Sequence, residues 1–129
     1  MRDLYHNLLV EPMIDPDEYA GDAKVGDHII DLQGFEGALI IVQAGDITAG
    51  GTFELKEGDA ADLSDAAAVA DGDLLGTESV FANDDDNKAK SFGYVGTKRY
   101  IRLDFKTAGW NGDFGAVAVK GFARHAPVV

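Results

Sequence analysis

No cysteine occurs in the 129 residues, so neither a disulfide nor a thiolate-held metal can staple this chain. Proline is scarce, at positions 12, 16 and 127, and there is a single tryptophan, Trp110. Bases are few: 11 Lys and Arg stand against 23 Asp and Glu, for a net charge of −12. That field repels phosphates and argues against nucleic acid as a partner. No apolar run approaches the roughly 18 residues of a membrane span. The opening MRDLYHNLLVEP is too short in its apolar part, and too acidic afterwards, for a signal peptide. The expectation is a protein kept in the cytoplasm, or assembled there into something larger, without a membrane partner.

What is present suits many short turns and a real core. Sixteen glycines accompany an apolar fraction of 46%, and a chain of this size buries roughly two-thirds of its unfolded surface as one domain. Charge is unevenly placed. Residues 1–86 hold 21 acids and three bases, and residues 87–129 two acids and eight bases. Such asymmetry can steer copies toward each other. Its plainer reading is a solvated acidic surface.

The clearest pattern is YVGTKRYIRLDF at 94–105, where Ile101, Leu103 and Phe105 alternate with Tyr100, Arg102 and Asp104. A period of two puts successive side chains on opposite faces, the mark of a strand with one apolar and one wet face. Gly96-Thr97 predicts a tight hairpin between this strand and the run Phe92 to Val95. The segment ALIIV at 38–42 reads as a strand buried on both faces or a strand in a sandwich interior. Shorter strands are predicted at 28–32, 52–56, 78–82 and 114–122, the last with Val117 and Val119 on one face. The acidic stretch from Glu57 to Asp73 reads as a long surface loop. Short strands with turn signals between them, and no long helix, predict an all-β fold: an antiparallel β-sandwich or jelly roll.

Residues 1–25 read differently. Leu4, Tyr5, Leu8 and Leu9 are apolar, but Pro12, Pro16 and a run of acids separate them from the first credible strand at 27. The predicted division is an extended N-terminal arm at 1–25 and a β-sandwich domain at 26–129, with the arm covering the domain's own sheet edge or docking on a neighbour.

Catalytic chemistry has little to stand on. His6, His28 and His125 keep no ligand spacing, Ser64 and Ser91 lack a nucleophile elbow, and no glycine-rich phosphate loop occurs. The abundant carboxylates sit in turns where proximity implies no acid–base work. Asp84 to Asp86 is the best calcium candidate, but it lacks the EF-hand spacing, and solvated turn residues are the default. No metal or cofactor and no enzyme activity are therefore expected. Lys98 and Arg99 flank the main strand as candidates for ion pairs with another copy, against an intrachain pairing. Trp110, Tyr94 and Tyr100 offer stacking surfaces for a carbohydrate-binding alternative.

Several segments together carry a resemblance: MRDLYHN at the start, DLQGFEGALIIVQAGDI at 31–47, ADGDLLG at 70–76, YVGTKRYIRL at 94–103 and RHAP at 124–127. They resemble a family of small structural proteins encoded among the head-assembly genes of tailed phages and prophages. The resemblance implies a virion component, foremost a head decoration or cement protein that bridges capsid subunits, with a head–tail connector or tail component as the alternative. It implies a β-sandwich or jelly-roll core, often trimeric, with the major capsid protein and further copies of itself as partners. It brings no catalytic motif. The acidic insertions at 57–65 and 83–87 depart from the family pattern. Leu4, Tyr5, Leu8, Leu9, Lys98 and Arg99 are the residues expected to make the capsid or intersubunit contacts.

Overall fold

Alternating apolar residues give this chain strands that each need a second layer, and two antiparallel sheets supply one another. The structure, a computed structural model, describes residues 3–124; His125, named above, lies outside the described residues. Sheet A runs in the order β1 (Leu9–Gly21), β10 (Trp110–Ala123), β3 (Phe35–Ala49), β8 (Ala89–Tyr94) and β6 (Leu74–Leu75). Sheet B runs β2 (Ile30–Asp31), β9 (Tyr100–Phe105), β4 (Gly51–Gly58) and β5 (Ala67–Ala68), with β7 (Val80–Phe81) on the start of β4. A single 3-10 turn, Asp71–Asp73, is the helical structure among the described residues. The antiparallel sandwich expected from the strand pattern is the observed fold.

The core lies between the sheets. Ile101, Leu103 and Phe105 of β9 and Phe53 and Leu55 of β4 point inward with at most 2% of their surface exposed. From sheet A come Ile40, Val42, Ala116 and Ala118. One end of the core is an aromatic cluster of Phe53, Phe81, Phe105, Trp110 and Phe114. Its tightest contact sets the Phe53 and Trp110 ring centroids 4.8 Å apart. Edge-to-face packing, such as Trp110 on Phe114 at 89°, matches the preference of aromatic quadrupoles.

Three expectations need correction. The predicted arm is no arm: β1 pairs with β10 from Leu9↔Lys120 to Gly21↔Trp110, and Met13 and Ile14 are fully buried in the core. The prolines that appear to stop a helix sit on an edge strand, where a missing N–H costs no ladder bond. The register shifts at Pro12/Ile14 and Ile14/Asp17 absorb them as bulges. The boundary at residue 25 therefore does not divide the fold.

Next, β8 and β9 do not form a hairpin. They lie in different sheets, β8 against β3 and β9 against β4 and β2. The link between them arches over Tyr94, whose hydroxyl donates to Glu57 Oε1 of the opposite sheet at 2.7 Å and accepts from Lys98 N at 3.2 Å. A Cβ at position 96 would lie 2.5 Å from that hydroxyl, so Gly96 serves close approach rather than a two-residue turn. Finally, Trp110 offers no stacking surface; it opens β10 and is 2% exposed.

β3 and β4 are almost one ribbon, broken only at Gly50 as the chain passes from sheet A to sheet B. A Cβ on Gly50 would fall 2.0 Å from the Phe81 carbonyl oxygen, so the crossing requires glycine. Past β5 and β7 the edge of β4 is closed by loops: Phe53 N donates to Ser79 O, Val69 N to Leu55 O, and Leu55 N to the Glu78 carboxylate. Burial pushes the Glu78 carboxyl up from its ordinary value.

Candidate functional site

The outward faces of the two sheets differ in chemistry. On sheet B the outward positions are charged. Glu54 stands opposite Asp104 and Lys56 opposite Arg102, so like charges face each other across the strands. Each is offset by a neighbour two residues along its own strand: Lys56 holds Glu54 at 2.8 Å, and Arg102 grips Asp104 with Nε and an NH2 group at 2.7 and 3.0 Å. Asp104 also accepts from Gly26 N at 2.8 Å. This face is polar, paired and closed.

On sheet A the outward positions carry no charge over three successive rows. Leu8 leans over Gly121 and the Phe122 ring over Gly37; a Cβ on either glycine would lie 3.1–3.2 Å from the leucine or the ring. The next row is Val10, Val119, Leu39, Gly93 and Leu75, followed by Pro12, Val117, Ile41 and Ser91. Val10, Leu39, Leu75 and Phe122 expose 59, 41, 61 and 75% of their surface. From the third row onward an open groove of about 520 Å³ runs between Pro12 and Pro16 on one side and Ile41 and Gln43 on the other, with Asp17 and Asp113 also in its lining. Scattered exposed apolar residues are ordinary, but a contiguous uncharged patch marks an interaction surface. In a chain that is 26% charged with a net −12, a charge-free sheet face is the feature that function must explain.

The predicted site residues fall as follows. Leu4 and Tyr5 are 56 and 71% exposed in a turn before β1. Asp3 caps that turn by accepting from His6 N at 3.0 Å and approaching His6 Nδ1 at 2.7 Å, and these contacts lower its carboxyl. Leu8 and Leu9 are half-buried, Leu9 opposite Lys120. Lys98 and Arg99 are exposed but already partnered within the chain: Lys98 with Asp59 at 3.0 Å, and Arg99 with Asp31 through two bonds of 2.9 Å and with Gln33 at 2.7 Å. Asp31 is correspondingly lowered by its Arg99 hydrogen bonds, and Arg99 is raised. Both groups sit at one end of the sandwich, joined through Lys120, which donates to the Asp31 carbonyl at 3.1 Å. A cleft of about 390 Å³ there is lined by Lys98, Arg99, Arg124 and Glu36.

Other candidates lose their geometry. Tyr94 and Trp110 are buried, and Tyr100 is half-buried with the Arg99 guanidinium 5.0 Å from its ring centre, so none of these three aromatics offers an open platform to a sugar. In the 83–87 turn, Asp85 accepts from Ala82 N and from Lys88 and Lys90 Nζ at 2.8–2.9 Å, which drives its carboxyl far below the usual range. Asp86 takes Ile47 N and Asn83 takes Gly50 N. These carboxylates organise a turn, and no cluster of three metal-ligating side chains occurs among the described residues.

Sequence reasoning missed Val10, Pro12, Leu39, Ile41, Val117, Val119 and Phe122. A signal existed: ALIIV predicts apolar residues on both faces of one strand, and the second face is this one. Val117 and Val119 do share a face, but it is the outer one; Ala116 and Ala118, which alternate with them, fill the core.

No protein-family model matches the chain, and no curated protein matches it. Among solved structures it is similar to the SPBc2 prophage-derived protein YomS, with 14% identity over 88% of this chain and 92% of that one and a TM-score of 0.46. It is similar to a subunit of the Bacillus endospore appendages, described as disulfide-linked pili (12% identity, 89% and 88% covered, TM-score 0.49). It is also similar to the Tobacco streak virus coat protein (15% identity, 97% and 93% covered, TM-score 0.35). The neighbours thus include a prophage-derived protein and a viral coat protein, at likenesses too low to assign this chain a partner. No helix among the described residues is long and apolar enough to cross a membrane.

Proposed function

We propose that this protein is a structural subunit of a phage particle, a head decoration or cement protein that stabilises the capsid by bridging its subunits, and not an enzyme. The observation that carries the reading is the charge-free outer face of sheet A on a chain of net charge −12. A free, soluble subunit gains nothing from such a face; an assembling one needs it. The segments that resemble the phage head-gene family include most of β9 and most of β3, one strand from each sheet, so the resemblance and the geometry concern the same framework. The partners are the major capsid protein and further copies of the chain, and the location is the virion. Leu4 and Tyr5, exposed beside the end of this face, extend the contact surface.

The test is antibody labelling of intact virions from cells that carry the gene, with quantitative mass spectrometry of the same particles. Label distributed over the head at a stoichiometry comparable to the major capsid protein is the expected result. Label confined to one vertex would move the protein to the connector. Absence from purified particles would end the virion reading.

A further inference from the structure

We infer that the groove on the outer face of sheet A receives a lysine or arginine side chain from a different protein of the assembly. The aliphatic stem lies along the apolar wall, and the charged head meets Asp17 and Asp113. The inference rests on the assembly reading of this face and names the chemistry of the partner.

Three neighbouring strands make the groove. β1 supplies Pro12 and Pro16, β3 supplies Ile41 and Gln43, and β10 between them supplies Val117 and then Gly115. Gly115 alternates with the buried Phe114 and Ala116, so it stands on the outer face without a side chain. Pro16 closes in from β1: a Cβ at position 115 would lie 3.3 Å from the proline Cα. The volume of about 520 Å³ falls within the roughly 300–1,000 Å³ of ligand-binding clefts.

One end of this apolar channel is acidic. Asp113 comes two residues before Gly115 and shares its face. Its side chain lies against Gly45 of β3, with Oδ2 3.4 Å from where a Cβ would stand. Asp17, on β1, accepts from Glu18 N at 2.8 Å through Oδ1. No ion pair among the described residues engages either carboxylate. No cluster of three metal-ligating side chains forms there, so a bare metal ion would be poorly held. An apolar channel that ends in carboxylates suits a long cationic side chain, which buries its methylenes and keeps its head among charges.

The cation must come from outside. Every described lysine and arginine of this chain already holds a carboxylate, from Lys24 on Asp27 to Arg124 on Glu36. A second copy therefore offers no free base among its described residues, and at a net charge of −12 it is repelled. A basic segment of another protein meets neither obstacle. The field of the chain draws it in, and the groove's carboxylates pair with it.

The experiment is an NMR titration of the full nitrogen-15-labelled chain with acetyl-Leu-Arg-Leu-amide, its citrulline isostere and its glutamate counterpart. Citrulline keeps the shape of arginine and removes the charge. At millimolar concentration the arginine peptide should move the amide signals of Gln43, Asp113, Gly115 and Val117. It should bind at least fivefold more tightly than the citrulline peptide, and the glutamate peptide should not bind. Salt at about 0.5 M should weaken the arginine peptide and leave the citrulline peptide unchanged. Asp113→Asn should remove most of the preference for arginine, and Gln43→Lys, which places a cation at the groove, should block it. Melting curves confirm that both variants fold. Equal binding of arginine and citrulline peptides, no shift at the groove, shifts centred elsewhere, or indifference to both substitutions would each overturn the inference. So would a wild-type dimer whose association moves the same signals, since that gives the groove to a second copy. Virion labelling reports separately. Labelled heads on a protein blind to arginine defeat only the groove, and an arginine-binding protein absent from particles defeats only the virion reading.

Discussion

The outward face of sheet A and the outward face of sheet B cover the same core, yet one carries Val10, Val119, Leu39 and Leu75 and the other Glu54, Lys56, Arg102 and Asp104. On sheet B each charge has a partner within its own strand, and the pair Arg102–Asp104 is only 14 and 11% exposed at the side chains. That face is finished within one molecule. On sheet A the outward side chains leave the largest apolar exposures of the strands. A solvated sheet face ordinarily alternates polar-out, as β9 does; a sheet apolar on both sides has a covering layer on each. The difference supports the proposed reading of the molecule as one two-layer unit within a larger assembly.

The largest effect should come from removing what both faces share. Deleting residues 1–25 takes away β1 and with it Met13 and Ile14, and the remainder should fail to melt cooperatively; a folded truncated domain would restore the arm. Short of deletion, Leu103→Ala or Phe105→Ala should cost about 2–5 kcal/mol by denaturant unfolding. On the finished face, Arg102→Ala should cost about 1–3 kcal/mol, because it leaves the Asp104 carboxylate with Gly26 N alone. That exceeds the roughly 0.5 kcal/mol of an ordinary surface change. On the open face, Val10→Thr should change monomer stability by less than about 1 kcal/mol while reducing association. If the two substitutions exchanged effects, the roles assigned to the faces would be reversed.

Acid separates the faces further. The carboxyls of Asp85 and Asp31 are lowered in the fold, by lysine and backbone donors and by Arg99 respectively. A depressed carboxyl lends stability above its unfolded value, here 3.8, and that contribution is lost as pH falls through the folded value. Tyr94 is raised by burial and by Glu57, so its contribution is present below its ordinary value of 10.0 and fades as pH rises toward the folded one. Thermal melts should therefore decline below about pH 4 and again at strongly alkaline pH. Association through sheet A should stay flat between about pH 5 and 9, since the three rows carry no titrating side chain. The smallest effect belongs to Lys98→Ala: its pair with Asp59 is exposed, and the melting temperature should not move measurably.

The strands whose neighbours did not matter were legible in advance. Ile101, Leu103 and Phe105 announce a strand by period alone, and ALIIV announces two apolar faces, because both are local patterns. What depends on pairing was not. Gly96-Thr97 has the composition of a two-residue turn, and only the Tyr94 hydroxyl reaching across to Glu57 reveals an arch between sheets. Pro12 and Pro16 forbid a central strand but not an edge one, and edge or centre is decided by where β10 lies. The open face was half visible in β3. Its continuation onto Val10, Pro12 and Val119 required the register of β1 with β10. Of the expected contact residues, Leu4 and Tyr5 are free, while Lys98 and Arg99 are held by Asp59 and Asp31, a pairing between residues 39 and 68 positions apart.

The place of β10 has a consequence for timing. It is later in the chain than every other strand, yet it lies in sheet A between β1 and β3, in contact with both. During synthesis β1 emerges first and has nothing to pair with until residues 110–123 have left the ribosome. Until then Val10 and Leu39 belong to separate, unjoined strands, and the contact surface does not exist. On the proposed assembly reading, a nascent chain therefore lacks the complete face with which to capture a neighbour, and competence to assemble arrives with the step that completes the fold.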